Sequence, residues 1–143
     1  MRKILFAVAF MVVGAANADD SLCQDASFIE ARNCSEKESQ LAQARLDKAY
    51  AKLESEIPRK YGAEASMGVS SEASAVEVIA ALRKSQQAWV SYREAHCKYE
   101  YEGARGGTGT ASDHAERICL VRLTRERTMY FEAEIRSIES YAK

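Results

Sequence analysis

The chain has little of what breaks a helix: 143 residues contain one proline, Pro58, and seven glycines, four of which fall in one short stretch. Proline removes a helical N–H and clashes with the preceding turn, so its scarcity leaves long segments free to run as helix. No segment alternates apolar and polar residues as a half-buried strand does, which argues against a sheet protein. Neither charge dominates, with 20 basic and 21 acidic residues, and nucleic-acid binders carry basic patches that this balance does not suggest. The motifs G-x-S-x-G, the Walker loop, H-E-x-x-H and C-x-x-C-H are absent, so common hydrolase, nucleotide, zinc-protease and c-type haem chemistries have no foothold.

What is present begins with an export signal. Arg2 and Lys3 give a basic start, Ile4 to Val13 is apolar, and Ala16-Asn17-Ala18 is a small-x-small cleavage site. The apolar run is too short to span a bilayer, where about 20 residues are needed. Residues 1–18 are therefore read as a signal peptide cut at Ala18, and residues 19–143 as one domain. Cys23 follows Leu22 rather than the small residue that a lipidated cysteine requires. The expectation is a soluble periplasmic or secreted protein with no stable membrane anchor. Loss of Arg2 and Lys3 leaves 18 basic against 21 acidic residues, a charge of about −3.

Four cysteines in an exported chain imply two disulfides, with three possible connectivities. Chain order suggests Cys23 with Cys34 and Cys97 with Cys119. Each such local bridge contributes about 2 to 4 kcal/mol by restricting the unfolded chain.

Helical spacing accounts for the rest. Ser27 with Glu30 and Ser35 with Glu38 have capping-box spacing, which predicts a short helix between Cys23 and Cys34 and a second start at Ser35. Ala42, Leu46, Ala49, Tyr50, Leu53 and Ile57 then recur on one face until Pro58, where an end or a kink is expected. Residues 59–73 read as a loop. Ser74 with Glu77 opens a long helix through Leu82, Gln86, Trp89, Arg93 and Cys97. The glycines between Gly103 and Ser112 reverse the chain, and Ser112 or Asp113 caps a last helix carrying Ile118, Leu120, Leu123, Met129, Tyr130, Phe131, Ile135 and Ile138. The predicted fold is all-α: an antiparallel bundle of three principal helices plus a short N-terminal helix, stapled by disulfides.

Gln86 or Gln87, Trp89, Tyr92-Arg93, Cys97, Gly106-Gly107-Thr108, Cys119 and Thr124-x-x-Arg127 occur in one ordered series. This series resembles the signature of the LprI-like lysozyme-inhibitor family. The likeness extends upstream through Cys23, Cys34, Leu46, Tyr50 and Leu53, although Gln43 and Asp47 stand where the family pattern usually has Asp and Asn. The resemblance implies a secreted helical domain, some relatives of which bind and inhibit lysozyme. A mildly acidic surface suits such a cationic partner, because opposite net charges speed encounter. The other reading is an envelope interaction or structural module with no effect on lysozyme.

Trp89 and Tyr92 are expected in the core rather than in a ligand-stacking patch. Arg93, Thr124 and Arg127 are read as structural anchors. A buried Arg93 requires carboxylate or carbonyl partners, and Arg127 is expected at helix ends or the glycine turn. His96, Cys97, His114 and Cys119 do not match zinc-finger spacing, and export favours oxidised cysteine, so neither a metal nor a cofactor is expected. Glu100 and Glu102 lie in a charged tract with no sign of the raised pKa that glycoside hydrolysis needs in one of its two acids. The chain is therefore read as a binding protein rather than an enzyme. The candidate partner-binding element is the turn holding Arg105, Gly106, Gly107 and Thr108, where Arg105 is placed to meet a carboxylate in the lysozyme cleft.

Overall fold

The structure is a computed structural model that describes residue 23 and residues 27–66, 74–104 and 109–141. Three helices make up the fold: α1 is Phe28–Ser66, α2 is Ala75–Ala104 and α3 is Gly109–Tyr141. No strand occurs among the described residues. Consecutive helices run antiparallel. Gln43 and Glu54 of α1 meet Arg93 and Arg83 of α2, while Gln86 and Cys97 of α2 meet Arg127 and Cys119 of α3. It follows that α1 and α3 run parallel, with Glu36 beside Arg117 and Lys52 beside Glu139.

Two of the predicted starts are built as capping boxes. The Ser27 amide and hydroxyl both donate to Glu30 Oε2, at 3.0 and 2.6 Å, and the Ser74 amide and hydroxyl to Glu77 Oε2, at 2.7 and 2.8 Å. These bonds hold both carboxyl groups below the usual glutamate range. For Glu30 the Ser27 hydroxyl is the larger cause, and for Glu77 the Ser74 amide. The predicted start at Ser35 is not used. Its hydroxyl donates to Arg32 O at 2.9 Å inside a continuous helix, and the helix expected between Cys23 and Cys34 forms the opening turns of α1.

Pro58 does not end α1, which continues to Ser66. The missing hydrogen bond is local, whereas Leu53 and Ile57 just before it are both buried, and their packing holds the helix in register. Residues 59–66 of the expected loop are helical, and residues 67–73 lie outside the described residues. At the other reversal α2 persists through Ala104 and α3 has begun by Gly109, ahead of the expected caps Ser112 and Asp113.

The core lies between α1 and α3. Leu46, Ala49 and Leu53 from α1 form one cluster with Phe131, Ile135 and Ile138 from α3. Leu46 and Phe131 are fully buried, and burying a side chain of that size is worth about 1.5 to 3 kcal/mol. A second, smaller cluster holds Cys97, Cys119 and Leu123. Trp89 packs against both clusters. Met129 and Tyr130, expected among the core positions of α3, are exposed by 58% and 51%, because Phe131 already takes the inward position.

Candidate functional site

Both disulfides lie at one end of the bundle. Cys23 is joined to Cys34 and Cys97 to Cys119, with Cα separations of 5.9 and 5.5 Å. Cys97 and Cys119 are fully buried, and the staple fixes the end of α2 against the start of α3, on either side of residues 105–108. Arg105, Gly106, Gly107 and Thr108 themselves lie outside the described residues.

About two turns from this staple, Trp89 lies close to two guanidinium groups. Arg93 lies 5.0 Å and Arg127 5.7 Å from the indole ring, distances at which a cation is attracted to the ring face. Arg127 also lies 4.6 Å from the Phe131 ring and 5.3 Å from Tyr130. It donates to Gln86 Oε1 at 3.2 Å and to Ser85 Oγ at 3.0 Å. Its partners are thus the middle of α2, not the helix ends or glycine turn expected from sequence. Burial pulls its pKa below the ordinary arginine value, with Tyr130 acting in the opposite direction.

Arg93 ties three helices together. Its Nη1 donates to Gln43 Oε1 of α1 and to Thr124 Oγ1 of α3, both at 2.9 Å. Thr124 is buried, and its carbonyl accepts the Thr128 hydroxyl at 2.9 Å. Gln43 in turn donates from Nε2 to Asp47 Oδ1 at 2.8 Å. Sequence reasoning set Gln43 and Asp47 aside as departures from the family pattern. Only the packing of α1 against α2 shows that Gln43 supplies the carbonyl Arg93 requires.

Tyr92 is not a core residue. It is 54% exposed, since it lies about 60° around α2 from Trp89 at roughly 100° per residue. There it stacks on His96, with ring centroids 5.4 Å apart, and His96 faces Tyr99 at 6.5 Å. His96 Nε2 is 3.0 Å from Glu100, which also accepts from Arg122 at 2.9 Å.

His96, Glu100 and Cys119 bring potential ligand atoms within 4.8 Å of one another. The Cys119 sulfur is bonded to Cys97 and Glu100 is held by Arg122, so this group is an ion pair beside a disulfide, with no thiolate to offer. All four cysteines are in disulfides, which removes a thiol nucleophile. No described helix is long and apolar enough to cross a membrane. What the site offers chemically is a stiff, polar surface at a covalently closed end.

A protein of Rhizobium meliloti (strain 1021), "Uncharacterized protein R02472", is 28% identical over 107 residues, covering 75% of this chain and 73% of that protein. No solved structure matches. The family profile described as "Lysozyme inhibitor LprI" matches residues 23–130, a span that takes in both disulfides, the Trp89 layer and the contacts of Arg93 with Gln43 and Thr124. The chain therefore belongs to the LprI lysozyme inhibitor family.

Proposed function

We propose that this chain, exported and oxidised, binds a lysozyme and blocks its active-site cleft by occlusion, with no chemistry of its own. The observation that carries this reading is the family match over residues 23–130. The arrangement of the described residues supports it. The Cys97–Cys119 staple holds the helices on either side of residues 105–108 together, and a preorganised element loses less entropy on docking than a free one.

The docking element is the turn from Arg105 to Thr108. A lysozyme cleft presents two acidic side chains along a groove shaped for extended sugar. Arg105 pairs with one of those carboxylates, and the flanking glycines allow the backbone to approach closely. Periplasmic or extracellular location is part of the same proposal, since both disulfides need an oxidising compartment to form and persist.

The test is clearance of a peptidoglycan suspension by several lysozyme types with and without the purified oxidised protein. Inhibition of at least one type is expected, and Arg105→Glu should abolish it. Full lysozyme activity with every type at excess inhibitor would overturn the function. Inhibition that survives Arg105→Glu at low and high salt would remove the turn from the interface.

A further inference from the structure

A cleft of about 450 Å³ opens between α1 and α3, with Arg93 of α2 in its lining. Ser39, Gln43 and Asp47 form one wall, and Leu120 and Thr124 the other. Its volume is within the range of small-ligand sites, roughly 300 to 1,000 Å³.

The electrostatics of this cleft differ from those of the surrounding surface. Arg59, Arg83, Arg117, Arg122 and Arg125 each pair with a glutamate. Arg93 does not. Among the described residues its contacts are the Gln43 amide, the Thr124 hydroxyl and the Trp89 ring, all neutral, and its buried Nε has no hydrogen-bond partner. A partly buried guanidinium without a counter-charge favours an anion; Nη1 already donates to Gln43 and Thr124 and Nε is buried, so Nη2 is the donor left for a carboxylate. Asp47 lies on the same wall, one side-chain amide away, with Gln43 accepting from Arg93 and donating to Asp47. The positive and negative groups are thus bridged by one amide through hydrogen bonds of 2.9 and 2.8 Å. An α-amino acid also carries its carboxylate and ammonium close together, with the same order of acceptor and donor.

We propose that this cleft is a binding site for a small zwitterion of the free α-amino-acid class, its carboxylate on Arg93 and its ammonium on Asp47. The ligand sits beside Gln43, using donors of the guanidinium and lone pairs of the carboxylate that Gln43 leaves open. Asp47 repels simple anions, and Arg93 repels simple cations, so the pair selects a molecule carrying both charges close together. Leu120 and Ala44 give the lining an apolar part against which a side chain can rest. This site is separate from the 105–108 turn and does not depend on lysozyme binding.

The experiment uses the oxidised protein and its single tryptophan, whose ring lies 5.0 Å from the Arg93 guanidinium and so reports on the cleft. Glycine, L-alanine and D-alanine are titrated against acetate, methylammonium and glycylglycine, following Trp89 emission and the side-chain amide resonance of Gln43. Saturable responses to the amino acids are expected, with acetate, methylammonium and the longer dipeptide weaker by about tenfold or more, equivalent to at least ~1.4 kcal/mol. Asp47→Asn should bring glycine affinity down to that of acetate, while Ala44→Leu fills the cleft and should remove the response with every charge in place. Circular dichroism checks that both variants keep their helices. No saturable response to any amino acid in the folded protein overturns the proposal. Equal binding of acetate and glycine, or glycine binding that survives both substitutions, overturns it as well.

Discussion

The α1–α3 pair and α2 are held in the bundle by different forces. Between α1 and α3 the contacts are one apolar cluster, Leu46, Ala49 and Leu53 against Phe131, Ile135 and Ile138. Among the described residues only one side chain of α2 is buried to that degree, Cys97, and it is covalently bonded to α3. The remainder of α2 is attached by the half-buried Trp89, by Arg93 to Gln43 and Thr124, by Gln86 and Ser85 to Arg127, and by Arg83 to Glu54. A three-helix domain of this size has a limited apolar core. Here that core is concentrated in one helix pair, and the third helix is secured by a disulfide and oriented polar contacts. These attach α2 without requiring a wide apolar face, which leaves Tyr92 and Tyr99 on its outer side exposed by 54% and 74%.

The severest way to break this contrast is Phe131→Ala. It removes a fully buried ring from the α1–α3 core and should cost about 3 to 5 kcal/mol, seen as a single cooperative loss of all helices in a thermal melt. If only part of the helical signal melted early, the pair would not be the common foundation. Next comes removal of the α2 staple by Cys97→Ala with Cys119→Ala. A loss of about 2 to 4 kcal/mol is expected, and hydrogen exchange should quicken first in α2 while the centres of α1 and α3 stay protected. Uniform quickening would show that the staple serves the whole bundle equally.

Arg127→Gln tests the polar attachment. Loss of stacking on Trp89 and Phe131 and of the bond to Ser85 should destabilise by about 1 to 2 kcal/mol, with a shift in Trp89 emission. The same substitution at an arginine paired with a glutamate on the surface, Arg122→Gln, should cost less than about 1 kcal/mol.

The smallest effect concerns pH. Glu30 and Glu77 have folded pKa values below the ordinary 4.5 because of their bonds to Ser27 and Ser74. A carboxyl group with a depressed folded pKa contributes stability that is present above its unfolded value and lost as pH falls through the folded one. Fraying should therefore begin at the first turns of α1 and α2 below about pH 4.5, measurable as faster amide exchange there. Glu77→Gln should produce the α2 part of that fraying at neutral pH.

Helix class, both capping boxes and the α1 face were legible because each rests on spacing within one segment. The bounds were not. Ser35 and Glu38 have the spacing of a helix start, yet α1 passes through them, and Pro58 has the character of a stop, yet Ile57 beside it is buried. A local signal states a preference, and the packing of neighbouring turns against α3 overrides it. Tyr92 failed for a related reason, since adjacency to Trp89 in the sequence placed it in the core while the direction of α2's buried face placed it outside.

Sequence by itself determined that this chain is helical, that Ser27 with Glu30 and Ser74 with Glu77 have the spacing of helix caps, that cysteine order favours two local bridges, and that it carries an ordered series from Gln86 to Arg127. These properties depend on backbone preference and on residues close together in the chain. Only the tertiary structure decided that Trp89 lies close to Arg93 and Arg127, that Arg93 reaches Gln43 and Thr124 on two other helices, and that Asp47 shares a cleft with an arginine lacking a counter-charge. The two hydrogen bonds of Arg93 join residues 50 and 31 positions apart, and such partners are set by how three helix faces meet, which no single segment encodes.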